Sequence, residues 1–367
     1  MPIFDQGYQH WNGKLGGHAW RWFVITRQGV LTVSKLKAVR AVVILAWTPA
    51  LLLAIFLSIW GLIEQKSTLL TAFGNLLQAL PEEIQGGPKD FRKTIWTLAY
   101  YNFFGLEIYF SLLIVALVGP NLISQDLRFN AMPLYFSKPL RRIDYFIGKL
   151  GVIATFIAAV SIFPAILAYA LGVSFSLDAT VVRDTWRILV ASIAFGSVVS
   201  LSAGALMLAI SSLSKNSRYV AAIWMGIWIV GGVTGTILTD TVRKPWCPLT
   251  SYQHNLELVR NGLLDTADAR NRVVGLMESS ERKVRETMQS MGPFARRQPF
   301  ARRPANLPPP PPAEDDDNPF SIRNRKIPMV PDRETVSWTW AAGVLAGLFA
   351  VSVWILTTRV KSLDRLR

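Results

Sequence analysis

Cysteine is almost missing: Cys247 is the only one in 367 residues. No disulfide can form within the chain, which excludes a stapled extracellular scaffold. Histidine is nearly as scarce, with only His10, His18 and His254, too few for a histidine-rich metal cage. There is no G-x-x-x-x-G-K-[ST] loop to cradle a nucleotide phosphate, no H-E-x-x-H and no G-x-S-x-G. An intramembrane protease needs paired ionisable groups or a serine–histidine dyad at depth, and no histidine falls within an apolar run. The serines that do fall there are Ser197, Ser200, Ser202, Ser211 and Ser212. Without a base beside them, they read as packing and backbone-bonding residues.

Apolar residues are abundant, at 51% of the chain, and they are bunched rather than spread in short amphipathic periods. Crossing ~30 Å of hydrocarbon takes roughly 20 helical residues. Six blocks meet that length: 41–63, 97–120, 150–174, 188–212, 220–238 and 337–357. The expected fold is therefore an all-α membrane protein with six transmembrane helices. The first block starts only after forty residues, too late for the apolar core of a cleavable signal. The lead "HAWRWFVITRQGVLTVSKLKAVR" mixes Trp20, Trp22, Phe23 and Ile25 with Arg21, Arg27, Lys35, Lys37 and Arg40. Aromatic and basic residues together suit the headgroup region, so residues 1–40 read as a cytoplasmic lead with an interfacial helix.

The formal charge is +15, yet the basic residues sit at the ends of the apolar blocks. That is the placement expected of cytoplasmic flanks rather than of a nucleic-acid surface, and no zinc-finger spacing or base-reading helix accompanies it. Counting charges loop by loop puts both termini and the 121–149 loop in the cytoplasm. The 64–95 and 175–187 loops are charge-balanced and fall on the other side. On this count 41–238 holds helices one to five, 239–336 is a long extracytoplasmic loop, and 337–367 is helix six with a basic tail. Within the long loop, "TADARNRVVGLMESSERKVRETMQSM" has Val273, Met277, Val284, Met288 and Met291 near helical spacing, the pattern of an amphipathic helix. The following "PPPPP" favours an extended spacer, and Asp315–Asp317 lack the glycine-turned loop of a calcium hand.

Glu107 is the ionisable residue that stands out, inside the second block in "YYNFFGLEIYF". An acid at membrane depth is a functional candidate by default, and Glu107 with Asn102 forms the candidate lining of a translocation path. The alternative places Glu107 in the headgroup zone, with Tyr100, Tyr101 and Tyr109 as an aromatic belt.

Between the second and third blocks runs "DLRFNAMPLYFSKPLRRIDYFIGK", residues 126–149. Leu134, Tyr135 and Phe136 stand among Arg128, Lys138, Arg141 and Arg142, and an aromatic-aliphatic cluster ringed by charge has the makeup of a protein-contact anchor. Pro133 and Pro139 restrict the backbone. Asp144 is placed to cap the third helix or to pair with Arg141.

The loop, "ISQD" before it and the ending "WILTTRVKSLDRLR" resemble the permease subunits of type-2 ABC exporters. The resemblance rests on Asp126, Pro139, Arg141, Arg142, Asp144, Tyr145, Gly148 and Lys149, and on the six-span plan. It implies that two permease copies, identical or related, pair around a path in the plasma (bacterial inner) membrane. It also implies that a separate cytoplasmic ABC ATPase, carrying the ATP and magnesium, docks on the 126–149 loop. This chain would then be no enzyme and hold no cofactor; its other partners would be membrane lipid and a candidate partner of the 239–336 loop, not nucleic acid. The long loop departs from the family and keeps a second reading open. In that reading the chain is a non-transporting membrane partner that passes an ATPase stroke to an extracytoplasmic protein.

Overall fold

A computed structural model describes residues 20–65, 87–136, 140–242, 244–290 and 336–363. The expectations for Lys138, Pro139, the proline-rich run and Asp315–Asp317 fall outside the described residues. Among those described, the structure is helical throughout, with no strand. Six stretches are long and apolar enough to cross a membrane, in agreement with the six blocks.

The short helix α1 (Arg21–Val33) precedes α2 (Lys37–Glu64), the first span. A 3₁₀ turn, Pro88–Phe91, opens the second span, α3 (Arg92–Val118), which continues through Gly119 into α4 (Pro120–Arg128). The five-residue α5 (Met132–Phe136) leads to the third span. That span is α6 (Arg142–Ile157), a π turn (Ala158–Ile162) and α7 (Phe163–Ser176). The fourth and fifth spans are α8 (Thr180–Leu213) and α9 (Ser217–Thr241). A 3₁₀ turn, Cys247–Thr250, then leads into α10 (Tyr252–Leu263), α11 (Thr266–Ser290) and the sixth span, α12 (Trp338–Leu363).

The helix boundaries follow from short-range chemistry. Asn216 starts α9 by accepting the Arg218 N–H with its side chain at 3.0 Å, and Ser251 starts α10 by accepting from His254 at 3.4 Å. These caps satisfy donors that the first helical turn leaves open. Leu177, between α7 and α8, holds a left-handed φ of 46°, which turns the chain back within three residues.

At 34 residues α8 is the longest of the described helices, about 50 Å by the standard rise. It is the hub, packing against α3, α4, α6, α7, α9, α10 and α12. Its serines behave as expected. Ser197, Ser200 and Ser202 each bond the carbonyl four residues back, at 2.7 to 2.8 Å. Ser211 instead reaches α4, donating to the Pro120 carbonyl at 3.0 Å and accepting the Ser124 N–H at 3.0 Å. Around the hub, α2 lies along α7 and α3. α1 seats on α6, where Gly148 and Gly151 leave room for Ile25 and Thr26, and Thr26 donates to the Gly148 carbonyl at 2.9 Å. Apolar faces of α9 and α12 stay exposed, including Ile229, Val233, Ile237, Val351 and Trp354, as a lipid-facing surface requires.

Two expectations about loops change. The 121–149 segment is mostly helical, since α4 runs to Arg128 and α6 begins at Arg142. The 239–336 segment does not leave the bundle at once. After α9 the chain turns back so that Ser251 packs on Gly235 and Tyr252 bonds Ser202 of α8 at 2.9 Å. From there α10 lies in the bundle against α3, α8, α9 and α12. The helix expected from the Val273 pattern is present as α11, but Met277 is exposed rather than on its packed face.

Candidate functional site

At one end of the second and third spans, Asp126 closes α4 onto α6. Its Oδ2 accepts from Lys149 Nζ at 2.7 Å and from the Tyr145 hydroxyl at 2.7 Å. The Lys149 ammonium also lies over the rings of Tyr135 and Tyr145, 5.8 and 5.4 Å from their centroids, and those two rings meet edge-on at 5.3 Å. A cation enclosed by one carboxylate and two aromatic faces is held from several directions. Burial, and after it the Asp126 carboxylate, push the Tyr135 hydroxyl above the ordinary phenol range.

Asp126 and Lys149 are thus partners inside a knot, and Tyr135 is half-buried as part of it. Leu134 keeps the outward role, 71% exposed, and is joined by Phe129 at 73%, a residue the sequence reading passed over. Arg128 stacks on Phe129 at 5.6 Å, and Arg141 is exposed. Asp144 caps α6 as expected, accepting the Arg141 N–H at 3.2 Å. Arg142 is half-buried beside it. The side chain of Phe136, like Pro139, lies outside the description.

The opposite end of the same spans carries a second knot, missed in the sequence because its charges looked merely balanced. Arg92 is 1% exposed, and its Nε and Nη2 fork onto Glu64 at 2.7 to 2.9 Å. Its Nη1 donates to Asp184 at 3.0 Å and to Thr180 at 2.9 Å, while Asp178 stands 3.4 Å from Nη2. Trp60 and Ser176 donate to the same Glu64 carboxylate at 2.7 and 3.0 Å. One guanidinium thus ties α2, α3, α7 and α8 together through the groups that face it. Lys89 donates to Asp178 at 2.9 Å and, with two donors from Thr180, holds its carboxyl well below the usual carboxylate range.

Between the two ends, Glu107 and Asn102 do not share a lining. Asn102 is exposed beside an apolar groove of about 360 Å³ between α2 and α3, with Pro49, Phe56 and Leu106 among its walls. Glu107 is buried about four turns into α3, at 1% exposure.

A different polar seam exists where α10 lies along α3. Gln253 donates to the Tyr109 hydroxyl at 2.7 Å and to Glu257 at 2.9 Å. One turn further along α10, the Arg260 guanidinium stands 4.1 Å from the Tyr101 ring centroid and donates to the Asn261 side-chain Oδ1 at 3.1 to 3.2 Å. Gly105 makes room for it, since a Cβ there would stand 3.1 Å from Nη1. Arg260 is only 5% exposed, and burial pulls its guanidinium below the ordinary arginine range against the pull of Tyr101 and Glu257. The sequence held a faint sign of this seat in the spacing of Tyr252, Leu256, Val259 and Leu263, a helical stripe amid polar residues.

No family model matches the chain, and no curated protein matches it.

Proposed function

We propose that this chain is the permease subunit of an ATP-driven exporter of the type-2 ABC kind. Two copies pair in the plasma (bacterial inner) membrane and work with a separate cytoplasmic ATPase. Both termini and the Asp126 end are cytoplasmic, and 239–336 belongs to the other side. With that orientation α1 lies in the cytoplasmic headgroup zone, where exposed Trp20, Phe23 and Leu31 meet lipid.

The observation that carries this reading is the Asp126–Lys149 knot. A stroke delivered to a loose loop is dissipated, whereas one delivered to α5 reaches both the second and third spans, because Lys149, Tyr135 and Tyr145 bind α4, α5 and α6 into one piece. Phe129, Leu134 and Arg141 on its outward side supply an apolar and basic contact surface. For transport over purely mechanical transmission speaks the seam of Tyr109, Gln253, Glu257 and Arg260. Polar groups at that depth serve a solute path, and a mechanical transmitter has no use for them.

The deciding experiment is purification from native membranes with ATPase activity measured on the complex. Arg141→Glu with Arg142→Glu is expected to release the ATPase chain. Lys149→Gln is expected to retain it but to lose coupling between hydrolysis and movement of solute. If no ATPase co-purifies, the proposal fails. If one does and no solute stimulates it, the mechanical reading takes its place.

A further inference from the structure

Midway along the bundle, three irregularities fall at one level. Pro49 interrupts α2, where it offers no N–H to the carbonyl of Leu45 and crowds that turn. The third span widens into the π turn Ala158–Ile162 just ahead of Pro164, which has the same defect. Trp47, two residues from Pro49, donates its indole N–H to the Ala159 carbonyl at 3.1 Å, so the two breaks face each other. On α3 at this level stands Glu107, with neither carboxyl oxygen hydrogen-bonded.

The level follows from the contacts around it. Trp96 meets Tyr169 edge-on at 5.4 Å, and Tyr100 donates to the Ala165 carbonyl at 2.9 Å. Carrying that antiparallel register about two turns further along α3 brings Glu107 opposite the π turn, which α3 touches. Leu106, next to Glu107 in the chain, lines the groove that Pro49 also lines.

The surroundings decide what the carboxyl can hold. Nothing titratable lies on α2 between Arg40 and Glu64, on α8 between Arg187 and Lys215, or on α9 between Tyr219 and Asp240. The third span has only Tyr169 between Lys149 and Asp178, and α12 has nothing before Arg359. On α3 itself the nearest are Tyr100, Tyr101 and Tyr109. The Gln253, Glu257 and Arg260 side of α10 addresses the Tyr101–Gly105–Tyr109 face of α3, turned away from Glu107. α11 faces the Lys93 end, where Asp265 and Asp268 stand, and Asp126 of α4 is already paired. Among the described residues an ionised carboxylate at position 107 thus meets no counter-charge and no donor, which strongly disfavours it. A metal ion asks for several oxygen ligands, and among the described residues no group of His, Cys, Asp or Glu could hold one. A proton asks for a single oxygen.

We propose that Glu107 is an intramembrane proton site, filled while the bundle is closed and emptied when α2 and the third span bend at their breaks and admit water. On opening, the acid O–H bond breaks, its electron pair stays on the carboxylate, and the proton passes to the entering water. On closing, the carboxylate takes a proton back. Proton occupancy and bending are then linked, so alkaline solution favours the open bundle. The inference rests on the geometry of the bundle and stands whether or not an ATPase drives it.

The test uses the full chain in lipid nanodiscs at neutral pH. Infrared absorption is expected to contain one protonated-carboxyl carbonyl band that disappears in Glu107→Gln and persists in Glu107→Asp. Amide-exchange protection around Pro49 and the π turn, corrected for the intrinsic effect of pH, is expected to fall about tenfold per pH unit at most as the solution becomes alkaline, one proton's worth of linkage. The glutamine variant, which mimics the filled site, is expected to lose that response. Carboxylate bands vanishing in Glu107→Gln in place of the acid band would overturn the proposal, as would an unchanged pH response in that variant.

Discussion

The two ends of the second span are each tied by an ion pair, and the two ties are built differently. At the Arg92 end the guanidinium is sealed, forked onto Glu64 and shared with Asp178, Asp184 and Thr180 across four helices. At the Asp126 end a single carboxylate holds a single ammonium and one tyrosine hydroxyl, and the ammonium's other contacts are aromatic faces. A planar fork with several acceptors fixes direction as well as distance. An ammonium against rings keeps its attraction over a range of angles. The first construction suits an end that stays put, and the second suits one that passes on a movement.

That contrast can be broken most forcefully at Arg92. Replacing it with alanine leaves Glu64 buried and uncompensated, and the expected loss is about 3–5 kcal/mol, read as a lower unfolding midpoint in detergent. Lys149→Met should cost less, about 2 kcal/mol for a charged hydrogen bond. If the two losses are equal, the distinction between the ends is wrong. A finer probe is Tyr145→Phe, which removes the 2.7 Å bond to Asp126 and keeps the ring over Lys149; a loss of about 1 kcal/mol is expected. The smallest effect belongs to acid. Asp178 is depressed in the folded protein, so its contribution is complete above the ordinary aspartate range, near pH 4. It is lost only as pH falls through the depressed folded value. Acid titration of Asp178→Asn should therefore show a shallower loss of stability below pH 4 than the unmodified chain.

How much of this was legible from residues alone depended on the distance over which the information acts. The spans announced themselves because twenty apolar residues in a row satisfy a local length requirement, and the Asp144 cap was readable because its partner is three residues away. Serine back-bonding was readable for the same reason. The knots were not: Glu64 meets Arg92 across a whole connection, and Asp126 meets Lys149 only because the fold brings the end of α4 to the start of the third span. In each case a charge counted as loop decoration is consumed by a partner that composition does not point to. α10 was hidden for a different reason. Twelve residues carrying Gln253, Glu257, Arg260 and Asn261 fall short of a span, and nothing local says that Gly105 and Ser202 wait to receive them. Glu107 was noticed but placed between two settings, because a run of tyrosines reads equally as belt and as core.

The seat of α10 sets an order on synthesis. It is completed by α12, where Trp338 closes over Gly262 and the two helices pack along each other. Yet about 75 residues of chain separate α10 from α12, and at about 5–20 residues per second that is a wait of roughly 4–15 seconds. During that interval α2 through α9 can already be assembled in the bilayer while the Gly262 side of α10 still lacks its cover. The sixth span therefore acts as a latch, and a chain released before Trp338 is made would carry α10 with that side open at the flank of an otherwise finished bundle.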